Sequence, residues 1–119
     1  MLRKLLQFGM AASLLAGACA AEQKTVAGTL MDKACSADNI KKGAKAIKEH
    51  DVGCALMDDC MKSGYGVVTS DGKFLTFDTA GNKKAMAALK STTKKTDLQV
   101  TVTGDVAGDT IKVSTIQMM

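Results

Sequence analysis

Apolar and polar residues alternate along five short stretches of the chain, the period of a half-buried strand. The first spans Thr25 to Met31, with Val26 and Leu30 on either side of Gly28 and Thr29. Tyr65 to Thr69 and Lys73 to Phe77 follow, joined by Ser70-Asp71-Gly72. That triplet is a hairpin signal, because glycine adopts the positive backbone angle such turns need. Leu98, Val100 and Val102 alternate with Gln99, Thr101 and Thr103. Ile111, Val113 and Thr115 alternate with Lys112, Ser114 and Ile116, after a second turn at Gly108-Asp109.

Between these strands the period changes. Residues Ser36 to Lys48 place Ile40, Ala44 and Ile47 on one side and Lys41, Lys42, Lys45 and Lys48 on the other. This predicts an amphipathic helix, with Ser36 or Asp38 as its cap. His50 to Lys62 predicts a second short helix, weakened at Gly53 by about 1 kcal/mol and ended by Ser63-Gly64. Gly81-Asn82 is expected to turn. Asn82 to Ser91 then predicts a helix with Met86 and Leu89 facing inward.

The fold class is mainly β with α. Without the helical insert at 36–63, the element order is β-β-β-α-β-β. That order suits a five-stranded OB-like antiparallel barrel, with the insert after strand 1 and a helix between strands 3 and 4. Closure would also remove the free edges of Val- and Thr-rich strands. An open antiparallel sheet carrying one helix has the same element order.

The first twenty residues belong to a different kind of segment. Arg3 and Lys4 precede a mostly apolar run from Leu5 to Leu15, and small residues follow to Ala21. These are the parts of a secretory signal peptide. Ala18-Cys19-Ala20 places cleavage before Ala21, giving a signal at 1–20 and one domain at 21–119. The apolar run falls short of the roughly 20 residues a spanning helix needs, and no other segment of the mature chain is apolar enough. A lipid anchor on Cys19 is the alternative processing, although Ala16 stands where a lipobox has a large aliphatic residue. The expected location is periplasmic or secreted.

Loss of Arg3 and Lys4 lowers the net charge from +4 to +2 and leaves no arginine. Only Tyr65, Phe74 and Phe77 remain as aromatics. A surface built on arginine forks and base stacking is therefore not available, which argues against nucleic acid as a partner. The lysine run reads as a solvated helix face. An anionic partner or membrane surface is the alternative.

Several short motifs resemble a group of small secreted bacterial proteins. They are Gly28-Thr29-Leu30-Met31-Asp32-Lys33-Ala34-Cys35, then Cys54-Ala55 with Cys60 and Gly64, then Thr69 to Lys73, and the closing Val102-Thr103-Gly104. The shared pattern is D-x-x-C, then C-A-x-x-C-x-x-x-G, then T-x-D-G-K and V-x-V-x-G. Here five residues separate Cys54 from Cys60, wider than that pattern. The group is regarded as OB-like domains without an assigned activity. The resemblance implies the fold and export, and supplies no activity.

Cys35, Cys54 and Cys60 remain after cleavage. In an oxidising compartment at least one disulfide is expected. On one continuous helix, Cys54 and Cys60 would stand about 9 Å apart along the axis and point about 120° apart. That disfavours their pairing and leaves Cys35 with Cys60 or Cys54. The closed loop would stabilise the fold by roughly 3 kcal/mol.

A second reading is a metal site. His50, Cys54, Met57 and Met61 are spaced i, i+4, i+7, i+11, which brings them within about 60° on one helix face. With Cys35 and Cys60 they form a mixed set suited to copper or zinc. A Met stripe at helical spacing also serves as plain core. A third reading is thiol redox chemistry through the left-over cysteine, with His50 activating Cys54, although no C-x-x-C is present. Asp58 and Asp59 read as a solvated face. No Ser/His/Asp set, P-loop or dinucleotide fingerprint occurs. The chain thus reads as an exported binding or structural domain rather than an enzyme, needing no cofactor unless the metal reading holds.

Overall fold

The computed structural model describes residues 23–119. The expected signal peptide, its cleavage site and Cys19 lie outside them. Strand β1 runs Gln23–Asp32. Four short helices follow: α1 (Lys33–Lys42), α2 (Ala44–Glu49), α3 (Val52–Ala55) and α4 (Asp58–Ser63). Strands β2 (Tyr65–Val68) and β3 (Phe74–Phe77) form a hairpin. Helix α5 (Thr79–Ser91) leads to β4 (Gln99–Ala107) and β5 (Thr110–Met118).

The five strands close into a barrel in the order β1-β2-β3-β5-β4. Four seams are antiparallel, and β3–β5 is parallel, pairing Thr76 with Thr110 and Phe77 with Ile111. The barrel is mixed, not antiparallel throughout as expected from sequence. The reason is topological. A closed ring with an odd number of strands cannot reverse direction at every seam. The unavoidable parallel seam is the shortest of the five.

The alternating pattern translates directly into burial. Leu30, Val67, Leu75, Leu98, Val100, Val102 and Ile111 fill the interior with Tyr65, the largest fully buried side chain. The β2–β3 turn closes through Thr69 N–H to Lys73 O at 2.8 Å, with Gly72 at φ +81°.

Helix α5 begins at Thr79, earlier than expected, because Asp78 caps it by accepting from Gly81 N–H at 3.0 Å. Gly81 lies inside the helix and not in a turn. A side chain there would sit 2.6 Å from a Val113 methyl, so the glycine lets α5 approach β5. Ala85 and Leu89 continue that buried face, with Met86 partly buried beside it.

The helical segment departs further from expectation. Helix α1 starts at Lys33, capped by Asp32 rather than by Ser36 or Asp38. The single helix expected to Lys48 is split by Gly43 at φ +107°. The second helix is also broken. Leu56 and Met57 separate α3 from α4, and Met57 has an extended backbone (φ −66°, ψ 148°). Lys41, Lys42, Lys45 and Lys48 are all exposed, and Lys42 pairs with Asp38 at 3.0 Å. Among the described residues no helix is long and apolar enough to cross a membrane.

Candidate metal centre

The site forms where β1 becomes α1. Asp32 is the last residue of β1, opposite Tyr65 of β2. Its backbone belongs to the barrel wall and its side chain turns to the helices. One carboxylate oxygen, Oδ2, accepts from Cys35 N–H at 3.0 Å, which satisfies a free donor of the first helical turn. The other, Oδ1, lies 2.7 Å from His50 Nε2. Asp32 is fully buried and the His50 side chain nearly so.

His50 occupies the extended step after α2. The backbone around it is fixed by Asp97 N–H to Lys48 O and Val52 N–H to Lys95 O, 2.8 and 2.9 Å. Its Nδ1 lies 3.4 Å from Asn39 Nδ2. An amide NH₂ only donates, so Nδ1 accepts and the proton sits on Nε2, facing Asp32. Asn39 Nδ2 also lies 3.7 Å from Met31 Sδ. The imidazole is therefore held from both sides.

Asp32, Cys35 and His50 offer one ligand atom each, all within 4.8 Å of one another. Burial works to raise the Asp32 carboxyl, but hydrogen bonds from His50 and Cys35 outweigh it and hold it below its ordinary value. Burial, reinforced by that carboxylate, pushes the Cys35 thiol up to about 12. Burial and Asp32 raise Cys60 too, and the neighbouring Cys35 thiol offsets part of that rise. These thiols are protonated at neutral pH when no cation is present. That makes them poor free nucleophiles. Burial and Asp51 raise the Cys54 thiol as well, which counts against the expected activation of Cys54 by His50.

The six residues expected to form the site separate into two groups. His50, Cys35 and Cys60 come together. Cys54 does not: it is exposed at the start of α3, where Asp51 Oδ1 accepts its N–H at 2.6 Å. Met57 is 59% exposed, and Met61 packs against the core. The one-face arrangement of His50, Cys54, Met57 and Met61 does not form, because His50 lies before the helix begins at Val52 and the helix is broken at Leu56 and Met57. All three cysteines are free thiols and no pair stands at disulfide distance. Asp58 and Asp59 are exposed in the first turn of α4, where the helix dipole favours them.

Sequence reasoning missed Asp32 and Asn39. The signal for Asp32 was present, since an Asp three residues before Cys35 is at N-cap spacing. Asn39 left no signal, because its role depends on how α1 packs on His50. No family model, curated protein or solved structure matches the chain.

Proposed function

We propose that this chain is an exported, OB-like domain that binds a divalent transition metal, zinc above others, through Asp32, Cys35 and His50. The observation that carries the reading is the convergence of these three ligand types within 4.8 Å, with Asp32 and His50 buried and Cys35 half-buried. The OB-like part rests on the closed order β1-β2-β3-β5-β4 with a helix between β3 and β4. Export rests on the N-terminal pattern and on the resemblance to small secreted bacterial proteins.

The donor set favours zinc over copper. Zinc accepts carboxylate oxygen, imidazole nitrogen and thiolate sulfur together. Cu(I) prefers thiolate and thioether donors, and the exposed Met57 lies away from the site. Cys60, near enough to Asp32 and Cys35 to influence both, is the candidate for a fourth donor. When Nε2 binds a metal its proton moves to Nδ1, and the Asn39 amide must then turn its oxygen to that nitrogen to accept from it, as outer partners of metal-binding histidines do. The barrel supplies a fixed wall, because Asp32 is the end of one of its strands.

The test is a titration of the reduced protein with Co²⁺, followed by displacement with Zn²⁺. One equivalent should bind and give a thiolate-to-cobalt absorption band. Cys35→Ser should abolish the band and His50→Ala should abolish tight binding, while Cys54→Ser should leave both. Absence of the band in folded, reduced protein would remove the proposal.

A further inference from the structure

The turns that carry Cys35 and Cys60 are tied together. Lys33 N–H donates to Gly64 O at 2.8 Å and Ala34 N–H to Ser63 Oγ at 3.0 Å. Ser63 Oγ in turn donates to Cys60 O at 2.7 Å. The first turn of α1 is thus laced to the turns of α4, which brings Cys35 and Cys60 close enough for each thiol to influence the other's proton. Cys54 lies outside this lacing, on the exposed side of α3. Cys35 is half-buried, and Cys60 is almost closed off behind it.

We infer that Cys35 and Cys60 form a reversible dithiol couple whose oxidation empties the metal site. The inference rests on the metal reading at one point, since Cys35 belongs to both sets. The oxidant is a small-molecule disulfide of the glutathione class. Cys35, the more accessible sulfur, attacks it through the small fraction present as thiolate, forming a mixed disulfide and releasing one glutathione thiolate that takes up the proton; the raised thiol makes this step slow. Cys60 then attacks the Cys35 sulfur and releases the second. One S–S bond forms in the protein and one breaks in the oxidant. The two thiol protons end on the two glutathione thiols. The product needs a small approach of α4 to α1, because the thiols are not at bonding distance now. Once joined to Cys60, the Cys35 sulfur is no longer a thiolate ligand. Asp32 and His50 alone then face the metal, and it leaves.

The test uses the full chain, reduced, in metal-free and zinc-loaded samples brought to equilibrium with oxidised glutathione. Free thiols are alkylated, and the crosslink is mapped by peptide mass spectrometry. Zinc release is read with a chromophoric chelator. The expected result is a Cys35–Cys60 crosslink with Cys54 alkylated, and one zinc released per crosslink. A crosslink through Cys54, or glutathione adducts with no internal crosslink, overturns the inference and leaves the metal reading standing. Zinc that stays bound after crosslinking overturns it too. A Cys35–Cys60 crosslink in protein that never takes up zinc supports the pairing and sinks the metal reading alone. Adding a dithiol reductant should reverse the crosslink and restore zinc uptake.

Discussion

The barrel and the helical segment at 33–63 are held together by different forces. In the barrel, Leu30, Tyr65, Val67, Val100, Val102 and Ile111 are almost wholly removed from water. Apolar burial at about 25 cal/mol per Å² carries such a region. In the helical segment the buried residues are Ser36, His50, Ala55 and Cys60. Half of that set is polar, and directed bonds do much of the holding: the Asp32 cap, the Asp32–His50 pair, Asn39 on His50, and Ser63 between Ala34 and Cys60. Apolar burial is tolerant of small shifts, whereas a buried hydrogen-bonded pair is not. The chemically useful residues therefore collect at the junction, where a rigid strand end meets helices positioned by polar contacts. Asp32 belongs to both regions.

Four experiments bear on this contrast. The largest effect is expected at Leu30, two residue pairs along the barrel wall from Asp32. Leu30→Ala should cost about 3–5 kcal/mol, from lost burial and the cavity left behind. Denaturant unfolding followed by tyrosine fluorescence and by helix signal should shift together. If the helix signal alone moved, the barrel would not be the element that carries stability.

Next is His50→Ala, which leaves Asp32 buried without its partner and should cost roughly 1–3 kcal/mol. Hydrogen exchange should quicken in α1 to α4 while amides of β4 and β5 keep their protection. Uniform loss of protection would show that the two regions are one cooperative unit.

A smaller effect is expected at Tyr65, whose hydroxyl donates to Ala55 O at 2.7 Å and so connects the barrel core to α3. Tyr65→Phe should cost about 1 kcal/mol. It should also change the pH profile. Burial, with Asp32 nearby, raises the Tyr65 hydroxyl from its ordinary 10.0 to about 12, and Cys35 rises from 9.0 to about 12. Both groups hold their protons in the folded chain at a pH where the unfolded chain releases them. The stability they contribute is complete below pH 9 and is lost as pH rises toward 12. The tyrosine share enters above pH 10, so Tyr65→Phe should flatten the alkaline limb there. An unchanged limb would mean that Tyr65 ionises freely in the folded protein.

The smallest effect is expected at Asp51, which caps α3. Asp51→Ala should cost about 0.5–1 kcal/mol and leave Co²⁺ binding intact, because Cys54 is outside the site. Loss of cobalt affinity would bring α3 into the metal centre.

The five strands were legible because period-two alternation is local, and the two turns because Gly72 and Gly108 mark them. The helix over 82–91 was legible in its interior but not at its start. Gly81 reads as a breaker unless the close approach of Val113 is known. The breaks in the helical segment were misjudged for a related reason. Residues 36–48 and 50–62 have helical spacing, but Gly43 and the extended step at Met57 follow from fitting four short helices between Asp32 and Tyr65. Of the six expected residues, Cys35 and His50 meet at Asp32, while Cys54 and Met57 are exposed. His50, Cys54, Met57 and Met61 share a face only on an unbroken helix.

By itself the sequence determined the strand positions, their inward faces, the hairpin turns and the residue types able to bind a soft or borderline metal. All of these depend on neighbours within a few residues. Tertiary structure decided the parallel seam between β3 and β5, the choice of Asp32 as cap, and the meeting of Asp32 with His50 across 18 positions. It also set Cys60 beside Cys35 and Cys54 apart from both. These depend on the closure of an odd-numbered ring and on how helices without a large apolar face satisfy buried polar groups, which no local pattern encodes.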